Sequence, residues 1–289
     1  MVFIFPLVAT AVSFVFAALL LKQYIDKKKA YQFWWGIALV MFGLASLAET
    51  VATYGEWNDL LVRVWYTFGA TLVVGYLALG SLYVADPKTS SRLLSIGVIL
   101  AFLGPVLPMV IFSDDAVGSE KLIAASVFGV ISLALIILSL SSKEKTPIFW
   151  LGALILGTIG GLAMAFTATI DQNLVAIEGW EAMQRPLIMK ATVAYINTLG
   201  TVVLAGGALY SAYSLMKKNI MRERAIGTIL IGIGAIFPAL GGFLSGYFKV
   251  ADIALLSISL TLGITIMFIG FLQTSRPSKT APQPKVVPT

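Results

Sequence analysis

The chain of 289 residues is 58% hydrophobic and only 12% charged, with a mean hydropathy of +0.92. Soluble domains are about 45–50% apolar and about 25% charged, so a soluble globular protein is excluded. Cysteine and histidine are both absent, which removes disulfides, the usual zinc sites, His-ligated haem and Ser-His-Asp catalysis. The net charge of +6 fits the cytoplasmic loops of a membrane protein better than nucleic-acid binding.

About 20 apolar residues, rising 1.5 Å each, cross a hydrocarbon core. Nine such runs are predicted: Phe3–Leu21, Phe33–Tyr54, Val62–Val84, Leu93–Phe112, Leu122–Leu140, Ile148–Ile170, Leu187–Met216, Ala225–Phe248 and Ile253–Leu272. The first begins MVFIFP, and its positive charges follow at Lys22, Lys27, Lys28 and Lys29. A secretory signal has the opposite order, so this run reads as an uncleaved helix with its amino end outside. The other loops agree. On this threading 15 of the 20 Lys and Arg face inside, and 5 face outside. That bias is a positive-inside signature. The expected fold is therefore all-α integral membrane, with nine transmembrane helices, N-outside and C-inside.

The second span holds Glu49, the one carboxylate set within an apolar run. It lies 16 residues from Phe33, or about 24 Å along a helix, in the outer third of the bilayer. A carboxylate there must take a proton or find a cation. Arg63 opens the third span from the same side, after the turn Gly55–Leu61. Two readings follow: a structural Glu49–Arg63 pair that locks the hairpin, or a proton- or substrate-linked carboxylate. Pro105, Pro108 and Pro238 are expected to kink the fourth and eighth spans.

Asp171 ends the sixth span, and the loop Asp171–Pro186 is the longest outside. Leu174, Ile177 and Met183 could line an interfacial helix there, with Trp180 at headgroup depth. It is expected to lie on lipid in preference to capping a vestibule. The seventh span brings Lys190 near its outer end and Asn197 deeper. Lys190 is expected to snorkel and Asn197 to bond a neighbouring helix. Lys190 sits too near the surface for a retinal-type Schiff base. Tyr54, Trp57, Trp65 and Tyr66 near the outer boundary, and Trp34, Trp35 and Trp150 near the inner one, read as an aromatic belt. The tail beyond Leu272 carries four prolines and is expected to be disordered.

A pattern recurs. Phe33, Trp34 and Gly36 return as Phe149, Trp150 and Gly152; Thr67, Gly69 and Gly75 return as Thr198, Gly200 and Gly206. Arginine followed by a mid-span proline occurs at Arg92 and Pro105 and again at Arg224 and Pro238. The reading is one leading helix (1–31), two parallel four-helix repeats (32–142 and 143–272) and a tail (273–289). Parallel repeats place a site at their interface in transporters. Small residues should let the helices approach, with GxxxG faces at Gly157/Gly161 and Gly242/Gly246.

No phosphate-binding loop, HExxH or GxSxG is present, and no catalytic residue, metal or cofactor is expected. Glu49, Arg63, Asp171, Lys190 and Asn197 are the candidate ligand-binding or coupling residues, grouped around an outward vestibule. The favoured function is transport or binding of a small or lipophilic solute at the repeat interface, in the cell membrane. One alternative is a non-catalytic subunit of a larger membrane complex, with other membrane subunits as partners. A third is an intramembrane lipid-acting enzyme using Glu49 or Asp171.

Overall fold

The computed structural model describes residues 4–113, 116–217, 222–247 and 253–275. The tail from residue 276, and Phe3 and Phe248 at predicted span ends, lie outside them. Among the described residues, nine helices are long and apolar enough to cross a membrane. They are α1 (Ile4–Lys27), α2 (Ala30–Tyr54), α3 (Asp59–Val84), α4 (Pro87–Phe112), α5 (Gly118–Ser141), α6 (Thr146–Thr167), α7 (Leu187–Lys217), α8 (Arg222–Tyr247) and α9 (Ile253–Ser275). The chain is a multi-pass helical membrane protein, and each predicted span falls on one of these helices.

Local chemistry sets the helix ends. Lys28 adopts a left-handed φ of 52° and closes α1 by donating its amide to Tyr24 O at 2.8 Å. Asn58 caps α3 by accepting from the Leu61 amide at 3.1 Å. Asp86 caps α4, where Pro87 occupies the first turn and leaves no amide unmet. Two helices contain π-turns, Trp65–Leu72 in α3 and Phe102–Val106 in α4. The second encloses Pro105, whose ring cannot fit a regular turn. α7, with 31 residues, is about 46 Å long and overruns a hydrocarbon core of about 30 Å.

α3 is the most enclosed helix: 67% of its most apolar stretch is buried, against 22% for α6. It packs on α2, α6 and α7, while α7 also meets α4, α5 and α8. Contacts of α8 with α9, α9 with α1 and α1 with α2 complete a ring. Phe16, Leu20, Leu39, Leu77, Leu204 and Met267 fill its apolar interior. On the other side of α3 and α7, helices α4, α5 and α6 close a second, smaller ring. These lobes cut across the two units read from sequence: α2 sits in the ring with α8 and α9, and α4 and α5 sit with α6.

Close approach is greatest between α8 and α9. A Cβ at Gly234 would lie 2.7 Å from Gly263 O, and one at Gly263 the same distance from Gly234 O. Gly227 and Gly270 repeat the arrangement one step along. The α8–α9 seam thus uses glycines seven apart. Gly157 and Gly161 make ordinary contacts on Ile196 and Thr71.

The aromatic-belt expectation needs correction. Trp57, Trp65 and Tyr66 are 8%, 7% and 4% exposed, and Trp150 is 1% exposed with its indole donating to Gly75 O. Trp35 likewise donates to Leu77 O at 2.9 Å. These rings pack between helices, and the N–H groups of Trp35, Trp65 and Trp150 each find a carbonyl or carboxyl inside the bundle, whereas Tyr54 is 63% exposed.

Candidate functional site at the loop end

The end of the bundle bearing residues 168–186 holds a second, small core. Ala45, Ala48 and Ala52 of α2 keep one wall thin, so that Trp57, Val62, Trp65 and Tyr66 fit against it. Glu49 lies on the same helix and is 4% exposed. Its carboxyl accepts from Trp65 Nε1 at 3.2 Å and from the hydroxyl of Ser257 on α9. These two donors join α2, α3 and α9 at one acceptor. Buried polar groups cost free energy unless bonded, which is why the acid needs both.

Arg63 is not the partner of Glu49. Its guanidinium donates to Ala165 O and, at 3.1 Å, to Ala168 O, with Asp59 at 3.9 Å. α6 ends at Thr167, so the Ala165 carbonyl has no amide one turn on. Arg63 therefore caps α6 from a neighbouring helix, where a cation also suits the helix dipole. The expected Glu49–Arg63 pair is replaced by two separate arrangements on adjacent turns of the hairpin.

The loop 168–186 folds back on itself. Asp171 donates its amide to Ala182 O at 3.0 Å, Gln184 donates to Thr169 O at 2.9 Å, and Ile170 pairs with Met183. The Asp171 carboxylate accepts the Asn173 amide at 2.9 Å and so shapes the turn. The loop contains one helical turn, Val175–Glu178, and a 3-10 turn, Gly179–Ala182. Met183 is buried, whereas Ile177 is 78% exposed, so the expected apolar face of Leu174, Ile177 and Met183 does not form. Gly179 has a φ of 59°, and a Cβ there would meet the Trp57 ring at 2.9 Å. Both facts demand glycine.

The loop covers protein, contrary to the expectation that it lies on lipid. Trp180 stacks on Trp65 with ring centres 5.3 Å apart and planes 16° apart, and Trp57 meets Trp65 edge-on at 6.4 Å. Arg185 lies over the Trp180 ring, 4.8 Å from its centroid. A column of touching groups thus runs from Arg185 through Trp180 and Trp65 to Glu49.

Beside this column, a cavity of about 450 Å³ occupies the mouth of the smaller ring. The ends of α4 and α6 and the starts of α5 and α7 wall it. Arg185, Lys190 and Glu120 supply charge; Ser113, Thr169 and Gln184 supply polar groups; Met164 and Leu187 supply apolar surface. Of the five predicted residues, only Lys190 lines it. Glu49 is enclosed, Arg63 caps α6, and Asp171 shapes the loop. Asn197 donates to Ala70 O at 2.7 Å, within the π-turn of α3. They do not share one vestibule.

Sequence reasoning missed Ser257, Trp65 as a donor, and the pairing of Arg185 with Trp180. A serine in the run SISLTL carries no sign of its distant partner. Glu120 and Arg185 registered only as loop charges. No known protein family, curated protein or solved structure matches the chain, so the reading of this site rests on its geometry.

Proposed function

We propose that the protein binds, and carries across the cell membrane, a small or lipophilic solute, with its loop end facing outside. The observation that supports this is the cavity walled by α4 and α5 from one proposed four-helix unit and by α6 and α7 from the other. Ligand sites between helices and repeats have this character. The ratio of 15 to 5 basic residues supports a loop end that faces outside. The same repeats account for α3 and α7 meeting at the centre: a Cβ at Gly200 would lie 2.8 Å from Val74 O.

In this reading Glu49 is the coupling group. The column through Trp65 and Trp180 ties its acceptor to Arg185 on the cavity wall. A solute that draws Arg185 aside alters the donors that hold Glu49.

The test is a ligand screen by thermal stabilisation on the purified protein and on Thr167→Trp, which puts an indole into the cavity. Solutes that stabilise the parent and leave Thr167→Trp unmoved support the proposal. Equal stabilisation of both would place binding elsewhere. For a solute that passes this screen, Glu49→Gln should alter uptake in vesicles while its binding persists. Unchanged uptake removes Glu49 as the coupling group.

A further inference from the structure

This inference rests on the cavity proposed above and names its occupant. Arg185, Lys190 and Glu120 line one cavity, and no ion pair joins them. Among the described residues the one ion pair is Arg63 with Asp59. Among the described residues, two cations and one carboxylate therefore face the same space with no ion pair between them. Arg185 spends only the face of its guanidinium on Trp180. No hydrogen bond or ion pair among the described residues occupies its N–H groups, which form a fork suited to phosphate oxygens.

The surroundings specify the rest of the ligand. Phe112, next to Ser113, is 76% exposed; Leu122, two residues after Glu120, is 69% exposed; Phe166, next to Thr167, is 59% exposed. Phe112 and Phe166 each adjoin a lining residue in the chain, so exposed apolar side chains lie at the ends of two of the helices that wall the cavity. Its own lining passes from charge at Arg185 and Lys190 to apolar Met164 and Leu187. A free small anion would use the cations and waste the apolar wall. A plain hydrocarbon would leave two cations unmatched.

We propose that the cavity takes the phosphate-bearing head group of a membrane phospholipid, with phosphate at Arg185 and Lys190 and the acyl chains along Phe112 and Phe166. Glu120 stands where a head-group amine gains a partner and an anionic head group meets repulsion. The solute of this protein, on that basis, is a phospholipid or a phosphate ester with a hydrocarbon tail.

The experiment is native mass spectrometry of the delipidated protein titrated with phosphatidylethanolamine, phosphatidylglycerol, diacylglycerol and glycerol phosphate. Four forms are compared: the parent, Arg185→Gln/Lys190→Gln, Thr167→Trp, and Lys143→Gln/Lys145→Gln at the opposite end. Phospholipid binding should weaken about thirty-fold in the Arg185/Lys190 variant, for two basic groups near a phosphate. It should fall comparably in Thr167→Trp, which keeps every charge, and hold in the Lys143/Lys145 variant. Diacylglycerol and glycerol phosphate should bind far more weakly than either phospholipid.

Undiminished phospholipid binding in both cavity variants overturns the proposal, as does an equal loss in the Lys143/Lys145 variant. Glycerol phosphate binding as tightly as phospholipid would assign a small-anion site instead. The wider functional reading is judged separately. If phospholipid fails but another solute stabilises the parent and not Thr167→Trp, only the head-group assignment falls.

Discussion

Replacing Glu49 together with its donors measures how the buried acid is held. Glu49→Ala leaves the Trp65 N–H and the Ser257 O–H without an acceptor. Each buried unmet donor costs about 1–3 kcal/mol, so the variant should lose about 2–6 kcal/mol. Glu49→Gln keeps an acceptor oxygen and should lose less. The sharper quantity is the coupling in a double-mutant cycle, which separates the contact from the rest of each substitution. The cycles pair Glu49→Gln with Trp65→Phe and with Ser257→Ala. Bonds between neutral groups within membrane proteins couple by about 0.6 kcal/mol on average; bonds to a charged group are worth about 1.5–3 kcal/mol. The coupling therefore reports whether the carboxyl bears charge. A third cycle pairs Glu49→Gln with Arg63→Gln. The structure bonds Arg63 to α6, so these two should be additive within about 0.5 kcal/mol. Reversible unfolding in mixed detergent–SDS micelles, followed by far-UV circular dichroism, supplies the free energies. Couplings near zero for Trp65 and Ser257, with a large one for Arg63, would refute the arrangement described above.

Other substitutions test neighbouring claims by the same unfolding assay. Arg63→Ala should destabilise by several kcal/mol, because two backbone carbonyls at the end of α6 lose charge-assisted donors. Arg63→Lys should recover about half of that, since an ammonium cannot reproduce the fork, whereas Asp59→Asn should change stability by under about 1 kcal/mol. Gly234→Ala should force α8 from α9 and lower stability by about 1–3 kcal/mol. Gly152→Ala, with nothing within 4 Å of its added carbon, should raise it by about 0.5–1 kcal/mol. Asp86→Ala should cost about 1 kcal/mol through the lost cap. Bonds from the Thr89 side chain and amide hold the Asp86 carboxyl below its ordinary range. Its contribution should therefore be complete above about pH 5 and fade as pH falls through and below about 4, which parallel titrations of the parent and Asp86→Ala would follow. Because the chain has no cysteine, single cysteines at Ile177 and Glu144 can be labelled without background. In intact cells an impermeant maleimide should reach Ile177→Cys and not Glu144→Cys; the reverse pattern would invert the orientation.

The spans were legible because hydrocarbon length and helical rise fix how long an apolar run must be. Glu49 was legible as well, since a lone acid in such a run breaks the pattern. Its partners were not. Arg63 is close in sequence and oppositely charged, but the open carbonyls of α6 lie more than a hundred residues away. Ser257 is 208 residues from Glu49, and its hydroxyl looks like any other in an apolar helix. The boundary tryptophans were seen but misplaced: an indole near a span end serves lipid or a neighbouring helix equally well, and only packing decides. Pro105 announced its distorted turn, whereas the π-turn at Trp65–Leu72 has no proline to betray it. The glycine pattern suggested close packing at i,i+4 pairs, whereas the seam of Gly227, Gly234 and Gly241 repeats every seven residues. The cavity had no signal at all, because it arises where two connections distant in sequence, α4 to α5 and α6 to α7, come together.

The parallel indoles of Trp65 and Trp180 have a practical outcome. Two identical chromophores at this separation share their excited states, and where their long axes are turned relative to one another the sharing leaves a split pair of bands of opposite sign in the ultraviolet circular dichroism. One chromophore is fixed in a transmembrane helix, while the other rides on the loop. Lifting the loop by a few ångströms would weaken that coupling several-fold, because it falls with the cube of the separation. The protein thus carries an intrinsic optical gauge of whether its loop 168–186 is seated, readable in real time and without a dye.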